Sequence, residues 1–273
     1  MTRVIIKMKY KKSLYFLLLL LSGFGLRAQT WEVGAMGGGA AYIGDLNPVN
    51  PVKISGLAAG AYVKANLDPY WAIGLHYNYG RIGGSDAESD NEQLKNRNLS
   101  FYTPLNEVSL QVDFNFLEYF AGGGTKRFSP YIFAGIGGVF YTPKATRANQ
   151  EYKLSFYRTE GQAESYKSYA LTVPYGAGLR VRLKDNWGLF SQIGYRTAYT
   201  DYLDDVSGKY PAATAWGAEP ANITAIRRSL SDPSLDGPAM PGSQRGDFRK
   251  RDTYMFVGIG ISYTFISSKC YTF

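Results

Sequence analysis

Apolar residues alternate with small or polar ones in eight stretches of the chain, near Trp31–Tyr42, Ile54–Leu67, Tyr70–Ile82, Asn106–Leu117, Tyr131–Tyr141, Tyr169–Lys184, Trp187–Tyr199 and Thr253–Phe265. In the last of these, Met255, Val257, Ile259, Ile261, Tyr263 and Phe265 share one face, and Gly258, Gly260, Ser262 and Thr264 lie on the other. A period of two is the signature of a strand with unlike faces, whereas a helix would sort residues at about 3.6. The connectors after the second, fourth and sixth stretches are brief: Asp68-Pro69, Glu118 to Pro130 and Asp185-Asn186. Those after the first, third, fifth and seventh are long: Ile43–Lys53, Gly83–Leu105, Thr142–Ser168 and Thr200–Asp252. Strands of tilted-span length with alternating short and long connectors predict an all-β fold. The expected architecture is an eight-stranded antiparallel transmembrane β-barrel with short periplasmic turns and long extracellular loops. A soluble β-sandwich also alternates, but its outward face is polar. Here the large apolar side chains fall on the outward face.

The inward series is rich in glycine, as a narrow barrel requires. It also carries Glu32, Lys64, His76, Asp113, Arg180, Arg182 and Arg196. Buried charges persist when paired. The expectation is therefore an ion-pair network inside the barrel, with Glu32 and Asp113 facing Lys64 and the three arginines. A proton path or a catalytic pocket is the functional alternative. Pro174 interrupts the sixth stretch and predicts a bulge or kink there, or a strand that begins after it.

The N-terminus sets the destination. Arg3, Lys7, Lys9, Lys11 and Lys12 precede the apolar run Leu14–Leu21, and Leu26-Arg27-Ala28 supplies a cleavage site before Gln29. That is the layout of a secretory signal peptide over 1–28. The barrel then spans 29–265 and a periplasmic tail 266–273, with both ends of the mature chain in the periplasm. The apolar run is shorter than the roughly 20 residues a helix needs to cross a bilayer.

Charge changes meaning once this segment is removed. The full chain has 30 basic and 22 acidic residues, net +8, but six basic and no acidic residues lie in 1–28. The remainder holds 24 basic against 22 acidic, net +2, which is no argument for nucleic acid. The 23 tyrosines and 31 glycines suit aromatic girdles around a small-residue interior.

Candidate chemistry is sparse. His76 is the only histidine and lies on an inward position, so neither a Ser-His-Asp triad nor a two-histidine metal site can be assembled. No enzymatic activity, cofactor or small-molecule substrate is expected. Asp201, Asp204 and Asp205 make an oxygen-rich cluster without EF-hand spacing. Capping of the loop backbone is expected of them, with calcium as the alternative. A lumen this narrow conducts no protein.

Four segments carry a resemblance: Tyr42-Ile43-Gly44-Asp45-Leu46-Asn47, Ser129-Pro130-Tyr131-Ile132-Phe133-Ala134-Gly135, Asp201-Tyr202-Leu203-Asp204-Asp205-Val206-Ser207, and Asp252-Thr253-Tyr254-Met255-Phe256 running into Ser262-Tyr263-Thr264-Phe265. In that order they resemble the PorG family of Bacteroidota outer-membrane proteins. The resemblance implies a structural component of the type IX secretion system, a barrel in outer-membrane lipid associated with the periplasmic ring of a PorK-like lipoprotein and a PorN-like subunit. Cys270, the sole cysteine, lies in the expected periplasmic tail. It is a candidate for a disulfide to the PorK-like subunit, or else a free thiol. The turn bearing Phe120, Lys126 and Arg127 is a second candidate contact. A stand-alone barrel whose outer loops bind ligands or surfaces, as an adhesin does, is the other function the long loops permit. A membrane-embedded lipid-modifying enzyme would need a catalytic constellation in those loops.

Overall fold

The computed structural model describes residues 30–119, 125–184, 186–212, 214–217, 220–247 and 249–265. The expected signal peptide, residue 29 and the tail lie outside the described residues.

Among the described residues ten strands form, in chain order β1 (Thr30–Ile43), β2 (Ile54–Asn66), β3 (Trp71–Ser85), β4 (Ser100–Asn115), β5 (Phe128–Tyr141), β6 (Lys144–Arg147), β7 (Gln150–Lys153), β8 (Tyr169–Arg182), β9 (Trp187–Ala198) and β10 (Thr253–Phe265). Eight of them close a barrel in which every neighbour is antiparallel. β1 to β5 pair in sequence, β5 pairs with β8, β8 with β9 and β9 with β10, and β10 pairs back to β1 from Trp31↔Phe265 to Ile43↔Thr253. β6 and β7 form a small hairpin on the rim.

The alternation decides which way each side chain points. Leu75, Val108, Leu110, Ile132, Ile136, Leu179, Ile259 and Ile261 stand outward and exposed. Trp31, Trp71, Phe128, Trp187 and Phe265 ring the end with short turns, and Tyr79, Phe140, Tyr169 and Tyr199 ring the end with long loops. A closed barrel with an apolar belt between two aromatic girdles is an outer-membrane protein. In water this belt would cost about 25 cal/mol for each Å² of apolar surface left wet.

The interior is filled instead of hollow. A Cβ on Gly178 would fall 2.5 Å from the Tyr131 ring, and one on Gly194 would fall 2.5 Å from the Phe133 ring. Glycine is required at both positions because the two aromatic rings lie directly against the inner wall there.

Two details depart from the sequence reading. The first is the reach of β3 and β4. They stay paired out to Ser85↔Ser100, so both ends of the expected loop Gly83–Leu105, its first three and last six residues, are strand. Phe101, Thr103 and Leu105 keep the alternation going and bury against the loops above. The second is Pro174, which causes neither a bulge nor a strand start. β8 keeps one register against β5 from Phe128↔Val181 to Phe140↔Tyr169 and lapses only between Ala134↔Tyr175 and Gly137↔Thr172. Its ladder to β9 continues through Pro174↔Arg196. The missing N–H therefore costs a short gap on one side of the strand. The one register shift among the β1–β2 pairs lies at Ala40/Ala41, opposite Ile54 and Gly56.

At the loop end the connectors fold. α1 (Glu92–Arg97) lies between β3 and β4, α2 (Leu154–Tyr157) follows the β6–β7 hairpin, and α3 (Ala221–Ser231) lies between β9 and β10. The Asn91 side chain caps α1 by accepting from the Gln93 N–H. At the turn end, Asp68 accepts from the Tyr70 and Trp71 N–H groups at 2.7 and 2.8 Å, which fixes the tight β2–β3 turn.

Candidate functional site

The charged interior divides into two sets. Toward the turn end, Lys64 of β2 reaches Glu32 of β1 at 2.9 Å and Asp113 of β4 at 3.6 Å, and Arg180 of β8 reaches Asp113 at 2.5 Å. All four are at most 5% exposed. Tyr62 donates to Glu32 at 2.6 Å, Arg180 donates to Asn115 at 2.8 Å, and the guanidinium stacks 3.8 Å from the Tyr131 ring centroid. Two anions and two cations balance.

Arg196 does not join that set. It lies further along the barrel beside Glu107 of β4, Nε to Oε2 at 3.3 Å, and both residues are fully buried. Glu107 also accepts from Tyr254 at 2.5 Å and from Asn78 at 3.0 Å. Sequence reasoning missed Glu107 although its parity was available, since Val108, Leu110 and Val112 face outward and 107 must face in. Arg182 lies one inward position beyond Arg180 on β8. It is half-buried at the turn end, where its backbone N–H donates to the Arg127 carbonyl. His76 is buried inside, its ring 5.1 Å from that of Tyr62.

Above the upper set the mouth is plugged. Residues 201–206, leaving β9, bend into the barrel opening. Leu203 and Val206 are buried with Tyr42, Ile82, Leu105 and Tyr254. The backbone of Leu203 is held twice: its carbonyl accepts from Thr103 at 2.6 Å, and its N–H donates to Asp252 at 2.9 Å. Tyr42 donates to Asp204, whose other oxygen accepts from the Val206 N–H at 2.9 Å. Capping therefore describes Asp204. Asp205 instead takes side-chain donors from Thr159 and Tyr166, each at 2.5 Å, in the positive-φ conformation (68°). Arg245 ties the plug to the loops above, with Glu160 at 3.0 Å and the Asp205 carbonyl at 2.6 Å. Arg97 clamps Asp86 with two bonds of 2.7 Å and reaches the carbonyls of Asp45 and Arg245.

Burial shapes the acids of this plug. It pushes the Asp205 carboxyl up to about 6 against the pull of Arg245, the Asp45 carboxyl up to about 7, and the Asp204 and Asp252 carboxyls well above the ordinary range. Oxygens of Asp45, Asp201 and Asp252 lie within 4.8 Å of one another. These three are the described carboxylates that could share a hard cation. The calcium alternative for Asp201, Asp204 and Asp205 does not assemble, because Asp204 is held by Tyr42 and Asp205 by Thr159 and Tyr166.

The candidate contacts at the turn end are partly visible. Lys126 and Arg127 are exposed, and Lys126 bridges back to Tyr119 with its N–H on the Glu118 carbonyl at 3.2 Å. Phe120 and Cys270 lie outside the described residues.

A family model described as a domain of unknown function, DUF6089, matches residues 11–217. The chain belongs to the DUF6089 family. No curated protein matches this DUF6089 chain in sequence. Solved structures similar to it include a major outer membrane protein from Thermus thermophilus, at 12% identity, TM-score 0.44, covering 88% of this chain and 100% of that one. Ail, the attachment invasion locus protein of Yersinia pestis, matches at 11% identity and TM-score 0.42, covering 87% and 99%. The N-terminal β-barrel domain of Pseudomonas aeruginosa OprF matches at 13% and 0.36, covering 88% and 100%. What the DUF6089 geometry offers chemically is closure. A charged lock and an apolar plug occupy successive levels of one narrow bore.

Proposed function

We propose that this outer-membrane barrel is a structural component of the type IX secretion system, anchoring a periplasmic ring of PorK-like and PorN-like subunits to the membrane. The observation that carries the reading is the doubly blocked bore. A barrel filled by Glu32, Lys64, Asp113 and Arg180 below and by Leu203 above offers its ends to partners and no passage to cargo. The ordered segments that resemble the PorG family supply the identity of the system. Short turns face the periplasm in such barrels, which on this reading puts both termini, Lys126 and Arg127 on the ring side. Phe120 and Cys270 are further contacts on the same reading.

The test is affinity isolation of the tagged barrel from native membranes in mild detergent. Recovery of periplasmic ring proteins, with loss of secreted cargo on deletion, is the expected result. Isolation of the barrel alone, with secretion intact, would overturn the proposal.

A second reading is a stand-alone barrel with an adhesin-like surface. It draws on the folded loop assembly, where Phe156, Leu235 and Met240 are exposed at 64%, 69% and 77%. Binding of loop-end ligands by a barrel that recovers no ring protein would favour it.

A further inference from the structure

The β2–β3 ladder stops at Ala58↔Gly80. Beyond it β2 follows β1 through the bulge to Ile54, while β3 follows β4 to Ser85. The two strands part, and a cleft of about 800 Å³ opens in the barrel wall at the loop end. A hydrogen bond from the Gly83 N–H to Ser55 Oγ, at 3.1 Å, crosses it. Its lower lip is Leu57, 82% exposed, and Tyr79, both on the face that carries the lipid belt. Its upper lip carries Lys53 and Arg81. The Arg81 guanidinium stacks 4.0 Å from the Tyr102 ring centroid, and among the described residues no carboxylate stands within ion-pair distance of it. Lys53 pairs with Glu88 at 2.6 Å, but both side chains are largely exposed, so solvent or a competing anion can exchange with that pair. Arg251 over Tyr199 and Lys167 over Tyr169 repeat the arrangement at the same girdle.

We propose that this cleft seats one anionic lipid of the loop-end leaflet, its phosphate against Arg81 and Lys53 and an acyl chain along Leu57. An apolar lip continuous with the belt selects a lipid over a soluble anion. A cation held flat on an aromatic ring, at the depth where headgroups lie, selects a negative headgroup. The inference uses only the barrel's place in the bilayer and is independent of the ring reading.

The full chain is reconstituted in nanodiscs of equal phosphatidylglycerol and phosphatidylcholine, extracted in mild detergent and weighed by native mass spectrometry. One retained phosphatidylglycerol, in preference to phosphatidylcholine, is expected. Arg81→Gln lowers that occupancy about five-fold, the share of one surface cation facing an anionic lipid. Thr146→Trp, which narrows the cleft and leaves every cation in place, lowers it as well, and Lys184→Gln at the opposite end leaves it unchanged. Heat-dependent gel mobility confirms that each variant is folded. Equal retention of the two lipids, wild-type retention by both Arg81→Gln and Thr146→Trp, or displacement of the lipid by glycerol 1-phosphate alone would overturn the proposal.

Discussion

Replacing Glu107 by Gln isolates a buried charge without changing the shape of the side chain. Arg196 then keeps its bond from Nη1 to the Gly194 carbonyl at 2.5 Å and the Phe256 ring centroid at 4.7 Å, but faces a neutral amide in place of its counter-charge. Its Nη2 has no hydrogen-bond partner among the described residues, and the residue is fully buried. Breaking one side of a buried pair costs about 3–5 kcal/mol, most of it the desolvation of the charge left behind. Against a typical total of roughly 5–15 kcal/mol, that is a large share. The assay is equilibrium unfolding by guanidinium in lipid vesicles, read by the fluorescence of Trp31, Trp71 and Trp187 on the outer wall. Arg196→Met should cost a similar amount, and the double variant should cost less than the sum by at least about 2 kcal/mol, because it removes the orphaned charge. A loss below about 1 kcal/mol for Glu107→Gln, or additivity within about 0.5 kcal/mol, would refute the assignment of Glu107 as the counter-charge of Arg196.

Three further outcomes can be checked. Gly178→Ala forces a methyl against the Tyr131 ring and the Ser191 carbonyl, so a loss of about 1–3 kcal/mol is expected in the same unfolding assay. The Asp205 carboxyl, pushed up to about 6 in the fold, holds its proton more tightly folded than unfolded. The folded plug is therefore favoured below the ordinary carboxylate range and loses that advantage as pH rises from about 4 to about 6. Hydrogen exchange of residues 201–208, corrected for intrinsic rates, should show more protection at about pH 4.5 than at about pH 7.5, and Asp205→Asn should reduce the difference, the remainder coming from Asp45, Asp204 and Asp252. Arg97→Met frees three loops at once and should expose the loop end to limited proteolysis while heat-dependent gel mobility stays that of a closed barrel; unchanged cleavage would count against the clamp.

The barrel was legible because its signal is local. Period-two alternation over spans such as Thr253–Phe265 fixes faces, and connector lengths fix the order of the ends. Interior partners were harder to read. Parity told which residues face in, but a partner depends on register across the barrel, and Arg196 is placed near Glu107 by β9 and β4, which do not pair with each other. The strand ends of β3 and β4 were misread because Gly83, Gly84 and Pro104 look like breakers. Paired to each other beyond the belt and covered by the loops, they carry the sheet onward. Pro174 shows the same principle at smaller scale, since a ladder on one side tolerates a missing donor on the other. The plug had a sequence trace in Thr200–Ser207 but no periodicity, so only the fold could show that Leu203 points into the bore.

The plug also spans the junction that closes the cylinder. β1 and β10 are the two strands farthest apart in sequence, and their junction is what closes the sheet on itself. Residues 203 and 204 bind on both sides of that seam, through Asp252 just ahead of β10 and through Tyr42 near the end of β1. The plug therefore works as a latch across the weld. Parting these two strands also breaks the hydrogen bonds that a loop makes at the end of each.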